Sequence, residues 1–501
     1  MWLFPAPAAA APPALHAVAA SDGAAPGVPG ALFTEVSDVH HTTDGALIWK
    51  GTVMAGTEER LGFWRVDDAG VSVLLEGAPA PDGGVFDSFS GVALTSGGHA
   101  GMFLASAGGP SAVWAHDASG VRRVVGEGDP VTGGAALGPF ALIAVNADDD
   151  VLVRETVDAY HIALVAVLGG VATRFVTFDE GVDGLPGWFG NRLNQAGYLA
   201  DDGRLTFSVA DAGGVIGVAH GQPGALRVVE PDGWLPDDDD GVDDATCCSL
   251  LTVGRDAAAV FLGRELSPDG DTTHVWWGDV AAPDEVLVIP PGGVPVADVV
   301  LTSMDVLPPL LAPGAGFAFT GQGTMEGVGF RGVFAWTVAG GLAFVAGPGT
   351  EVAGRPLAAP VPLAFGGGHL LLSDTTAEGV RLVDWDAATG TLSAWFSPGD
   401  PAEHPIDGEQ PLLAALYTGA SQDLDAGNVV VELRTDGPLS TSPWVLVSTT
   451  VAGAPDPTTP TTDGADGGRT EEGCGCATGR HPAWLGLLVG LAALRARRRR
   501  P

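Results

Sequence analysis

The chain is patterned in short apolar runs broken by Gly, Pro and Asp, a strand-and-turn rhythm without the spacing of an amphipathic helix. Strand-like starts occur at Gly62-Phe-Trp64, Ala112-Val-Trp114, His161-Ile-Ala163, Val215-Ile-Gly217, His274-Val-Trp-Trp277, Gly332-Val-Phe-Ala-Trp336, Val380-Arg-Leu-Val383 and Trp444-Val-Leu-Val447. They recur roughly every 50 to 65 residues between Leu32 and Val451, a period that means a solenoid, a propeller or an array.

Each unit repeats one internal order. After the start comes a turn such as Asp67-Asp-Ala-Gly70 or Asp117-Ala-Ser-Gly120, then a second strand such as Val71-Ser-Val-Leu-Leu75. A Gly/Pro corner follows, at Glu76-Gly-Ala-Pro79, Glu127-Gly-Asp-Pro130, Pro231-Asp-Gly-Trp234, Pro291-Gly-Gly-Val-Pro295, Gly347-Pro-Gly349 and Ser397-Pro-Gly-Asp-Pro401. Two further short strands close the unit, as in Leu205-Thr-Phe-Ser-Val209 and Phe317-Ala-Phe-Thr320. Four strands per roughly 50 residues make a propeller blade, so the predicted class is all-β, a β-propeller of four-stranded blades. Trp444 to Val451 supplies a first strand without the rest of its blade, while Val36 and residues 44–53 supply late strands without a first. Pairing them completes a composite blade and removes two free edges, giving eight blades. Dividing the long fourth and fifth units differently gives seven. Stacked β-sandwiches would not require the equal spacing.

Four regions follow: a leader over residues 1–30, a propeller-like domain over 31–453, a linker over 454–472 and a tail over 473–501. The leader is apolar and Ala-rich to Ala20, with a small-residue site at Ala17-Val-Ala-Ala20, but it has no Lys or Arg and four prolines interrupt that run. The linker, rich in Pro, Thr, Gly and Asp, holds no large apolar residue and is expected to be extended. In the tail Cys474 and Cys476 precede the uncharged run Trp484–Leu494 and five arginines between Arg495 and Arg500. Arginine is costly to move through hydrocarbon, so the cluster fixes its own side as cytoplasmic and the body as external. The run is short against the ~20 residues that span a bilayer, which suits temporary retention.

These three tail parts resemble the myxobacterial C-terminal sorting signal (MYXO-CTERM type). The resemblance implies export, recognition by a sorting protease of the myxosortase type, removal of the helix, and cell-surface or outer-membrane display through a processed or lipid-modified cysteine. Cys474 and Cys476 are both candidates. An ordinary single-pass tail anchor is the alternative. The units also resemble tandem bacterial β-repeats named for an Asn-x-x-Gly-x-x-Ala signature. Asn194-Gln-Ala-Gly197-Tyr-Leu-Ala200 carries the full pattern, and Thr95-Ser-Gly-Gly98 and Asn146-Ala-Asp-Asp149 depart from it.

The formal charge is −38, and loss of the tail arginines brings it to −43. Such a surface repels nucleic acid and anionic lipid, so nucleic-acid partners are excluded for the body. Candidate chemistry is sparse. No Gly-x-Ser-x-Gly elbow or Walker loop is present, and Gly321-Gln-Gly323-Thr-Met-Glu-Gly327 misses the dinucleotide spacing. The acidic loop Asp237, Asp238, Asp239, Asp240, Asp243 and Asp244 has the oxygen density that suits calcium, although Pro236 and Cys247 break the helix-loop-helix pattern. A solvated charge run is the plainer account. His40-His41 offers two metal donors but reads as a surface pair. Cys247-Cys248 could bridge each other only through a strained ring. The expected function is an exported, surface-anchored, noncatalytic binding, adhesion or envelope scaffold protein. An extracellular lyase or hydrolase with its site at the propeller axis is the alternative.

Overall fold

The computed structural model describes residues 16–450 apart from short internal stretches, the longest being 230–247 and 398–411. The chain is all β, with no helix among the described residues, and forms a β-propeller. Leu32–His41, Leu47–Ala55, Glu58–Asp67 and Gly70–Leu75 make the first antiparallel sheet. In the second, Phe86–Ser88 and Thr95–Ser96 share the place of a first strand before Gly101–Ala107, Ser111–Asp117 and Gly120–Gly126. The third runs Phe140–Val145, Val151–Thr156, Ile162–Leu168, Val171–Thr177. In the fourth, Trp188–Gly190 and Gly197–Leu199 precede Leu205–Asp211, Ile216–Gln222 and Ala225–Val229. The fifth runs Cys248–Val253, Ala258–Glu265, Thr272–Asp279, Val286–Ile289. The sixth centres on Val299–Met304, Gly316–Met325, Val328–Thr337 and Gly341–Ala346, the seventh on Pro360–Gly366, His369–Thr376, Gly379–Asp386 and Thr391–Phe396. The eighth joins Leu412–Tyr417, Asn428–Asp436 and Trp444–Thr450 to the distant strand His16–Ala20.

Neighbouring sheets meet through their first strands. Leu32–His41 touches Trp444–Thr450 on one side and Thr95–Ser96 on the other, Phe140–Val145 touches Gly101–Ala107, and Gly197–Leu199 touches Val151–Thr156. Onward, Cys248–Val253 meets Ile216–Gln222, Val299–Met304 meets Thr272–Asp279, Pro360–Gly366 meets Gly316–Met325, and Leu412–Tyr417 meets Gly379–Asp386. First strands therefore lie on the inner side. Fourth strands face outward, with Val71 and Val171 exposed.

The middle strands are covered on both faces, which is why they read as continuous apolar runs instead of alternating ones. Phe63 packs with Phe86, Phe103 and Trp114 of the second sheet, whereas its neighbour Trp64 packs with Phe33, Trp49 and Ala19. Val165 belongs with Val113 and Val125 of the second sheet, and Leu164 with Phe207 and Val209 of the fourth. Each large side chain so buried contributes about 1.5–3 kcal/mol of transfer free energy. Gly51 lies flat beneath two rings. A Cβ there would stand 2.8 Å from Phe33 and 3.1 Å from Trp64.

The sequence units prove to be out of phase with the sheets by two strands. The apolar starts at Phe63-Trp64 and Val113-Trp114 are third strands, and the Gly/Pro corners connect the fourth strand of one sheet to the first of the next. The corners share one construction: Gly77 donates to Phe86 O (2.8 Å), Gly128 to Leu137 O (2.7 Å) and Gly349 to Leu357 O (2.8 Å). Third strands announce themselves because they are buried on both faces and rich in Trp, so they mask the true start of each unit.

The composite sheet also differs from expectation. Trp444–Thr450 is a third strand, and its N-terminal partner is His16–Ala20, with Ala17 opposite Val447, not the segment around Val36. Val36 and residues 47–53 instead belong to a sheet whole in itself. The segment assigned to a leader thus contributes a strand, and residues 25–31 form an ordinary corner after it, with Ala25 donating to Ala31 O and Trp64 Nε1 to Pro26 O (2.9 Å). Its Pro26-Gly27 and Pro29-Gly30 match the composition of the other corners.

Candidate functional site

In a propeller the inner strands line the axis, so their residue types decide what the axis can do. Six first strands, 140–145, 188–190, 248–253, 299–304, 360–366 and 412–417, contain no Asp, Glu, Lys, Arg or His. Their exposed positions include Ala141, Phe189, Val300 and Thr302. Charge and imidazole occur as Glu35, Asp38, His40 and His41 in Leu32–His41, as Asp87 in Phe86–Ser88, and as Asp423 in the short strand Gln422–Asp423 that follows Leu412–Tyr417 in the eighth sheet.

A partly buried polar group lies at the seam between the first two sheets, nearer the outer strands. Arg65, on the third strand of the first sheet, is 2% exposed, pairs with Asp67 at 3.2 Å and donates from Nη1 to His99 O across the seam at 3.4 Å. Ser72, on the fourth strand directly opposite Arg65, makes a 2.8 Å hydrogen bond to Nε2 of His116, on the third strand of the second sheet. His116 is 1% exposed, and its Nδ1 has no hydrogen-bond partner among the described residues. Burial first, and the Arg65 charge second, push the imidazole down to about 4 against a weaker pull from Asp117. It is neutral at pH 7. Asp117 itself lies below the usual carboxylate range: burial opposes its ionisation, but hydrogen bonds from Ser119 and Arg122 outweigh that.

Other buried ions are fully engaged in holding strands. Glu155 accepts Arg174 Nη2 at 2.6 Å and Gly138 N at 2.8 Å; Asp374 accepts Arg381 Nη2 at 2.7 Å and both Ala358 N and Ala359 N at 2.8 Å. Each carboxylate ties the segment entering a first strand to the second strand beside it. His369 hydrogen-bonds Asp384 through Nδ1 at 3.0 Å, and that contact raises its pKa against the effect of burial. Asn146 turns the first hairpin of the third sheet, accepting from Asp148 N and Asp150 N while its Nδ2 donates to Ala200 O of the fourth. The turn that occupies the same place in the fourth sheet is Ala200–Arg204, so Gly197 stands one strand before it, and Asn194 lies outside the described residues.

The acidic loop from Asp237 to Asp244, Cys247, Cys474, Cys476 and the run 484–494 lie outside the described residues. Cys248 opens the first strand of the fifth sheet. Among the described residues no group of three His, Cys, Asp or Glu is arranged to hold a metal ion, and no helix is long and apolar enough to cross a membrane. Sequence reasoning missed the Arg65, Ser72 and His116 seam because its members are brought together across 44 positions. The signal present is a buried polar residue at the end of a Trp-bearing third strand, as in Trp64-Arg-Val-Asp67 and Trp114-Ala-His-Asp117.

No protein-family model and no curated protein matches the sequence. Solved structures similar to it include the β-propeller domain of the Trilobed protease from Pyrococcus furiosus, at 10% identity over 73% of this chain and 99% of that one, TM-score 0.38. Oligogalacturonate lyase from Vibrio parahaemolyticus is similar at 9% identity over 83% and 98%, TM-score 0.37. TolB from Acinetobacter baumannii is similar at 11% identity over 69% and 78%, TM-score 0.28.

Proposed function

We propose that this protein is an exported, cell-surface-displayed binding or scaffold protein: an eight-bladed ring closed by His16–Ala20 and carried on the linker 454–472. The observation that carries the noncatalytic reading is the absence of Asp, Glu, Lys, Arg and His from six of the first strands, which suits apolar or neutral contacts better than general acid-base chemistry. Support for eight blades comes from the unbroken succession of sheet-to-sheet contacts, the eighth sheet meeting the first. Closure needs His16–Ala20, so any export leader ends before His16 and the Ala17-Val-Ala-Ala20 site is not cut. The tail resemblance supplies the route: a sorting protease acts near Cys474 or Cys476 and the body stays outside.

Two measurements test this. Fractionation of cells making the wild type and a Cys474→Ser, Cys476→Ser double variant should find the wild type at the surface and the variant in the inner membrane; identical retention of both would refute sorting. The purified protein screened against polysaccharides should show retention without cleavage. Turnover would establish the catalytic alternative.

A further inference from the structure

The seam between the first and second sheets is joined by two polar links, Ser72 to His116 Nε2 and Arg65 Nη1 to His99 O, instead of apolar contact alone. We propose that this seam is an acid-operated latch, in which protonation of His116 releases both links and parts the strand Gly70–Leu75 from Ser111–Asp117.

Geometry makes the added proton costly. Whichever ring nitrogen carries the proton in the neutral imidazole, the imidazolium must donate from both, and Nδ1 is buried with no acceptor among the described residues. The new cation also faces the Arg65 guanidinium. The groups around it offer little relief. Asp67 is paired with Arg65 on that strand; Asp117, on the strand of His116, is held by Ser119 and by Arg122 at 3.3 Å; Arg122, from the adjacent fourth strand, adds positive charge and reaches on to Asp149 of the third sheet at 3.5 Å. Gly101, opposite His116 on the second strand, carries no side chain. Opening the seam gives the imidazolium water. The third and fourth sheets are linked differently, by the neutral bond Asn146 Nδ2 to Ala200 O and by a carboxylate, Ala147 N to Asp201 Oδ1.

The test is amide hydrogen exchange of the full chain at pH 7 and pH 5, corrected for intrinsic rates. Proton linkage between an imidazole near 6.5 in the open state and about 4 in the closed state predicts a roughly twentyfold greater opening at pH 5. The loss of protection should centre on Glu58–Leu75 and Ser111–Gly126 and leave Gly316–Met325 and Val328–Thr337, which hold no histidine, unchanged. His116→Gln, which keeps a donor for Ser72 but cannot titrate, should abolish the acid response; Ser72→Ala should open the seam at both pH values and keep it. An acid response that survives in His116→Gln, that spreads evenly over all sheets, or that is missing from the wild type overturns the latch. If His116→Gln does not fold, the NMR titration of His116 decides: a midpoint well below that of exposed His161 supports the latch, and a shared midpoint ends it.

Discussion

At the scale of single residues the buried ions carry the most testable energetics. His116 is neutral in the fold and its pKa is depressed, so the unfolded chain binds the extra proton first: stability is full above about 6.5 and declines as pH falls toward 4, by about 3 kcal/mol in all. Chemical denaturation followed between pH 7 and 4 should show that decline, and His116→Gln should flatten it. His369 works with the opposite sign. Its raised pKa gives stability that is complete below about 6.5 and fades as pH rises through the folded value, so His369→Gln should destabilise more at pH 6 than at pH 9. Removing one member of the Asp374 and Arg381 pair leaves a charge in a site 4% exposed or less; Asp374→Ala should cost about 3–5 kcal/mol in denaturant unfolding, whereas an apolar replacement of both members should cost much less. None of these pairings could be found from the sequence, because Arg65, Ser72 and His116 look like ordinary polar positions until two sheets bring them together.

At the scale of elements the strand content and the corners were legible, since Gly and Pro punctuation reports backbone geometry locally. The phase was not. Trp64 and Trp114 stand out as if they began a unit, but their prominence reflects coverage by two neighbours, and it marks a third strand. The short, small-residue strand His16–Ala20 was hidden for the opposite reason: Ala-Val-Ala-Ala reads as a leader, and only pairing with Val445 and Val447 gives it a place. Truncation to Ser21 should bare the outer edge of Trp444–Thr450 and promote association, visible as a lowered Tm and a shift to larger species by light scattering. Gly51→Val should force a methyl into the Phe33 and Trp64 rings and cost about 1–3 kcal/mol by overpacking, measured as a Tm shift.

At the scale of the whole molecule, the first and last described strands, His16–Ala20 and Trp444–Thr450, pair in one sheet. A charge of −38 turns away polyanions. In the proposed function, export and closure fix the amino end of the mature chain and sorting its carboxyl end, so intact mass measurement of the protein recovered from the cell surface tests them together. The account predicts an N-terminus at or before His16 and a C-terminus at the Cys474 and Cys476 pair, without the residues from Trp484 to Arg500. A chain that begins at Ser21, or one that carries its arginine cluster intact, would contradict it.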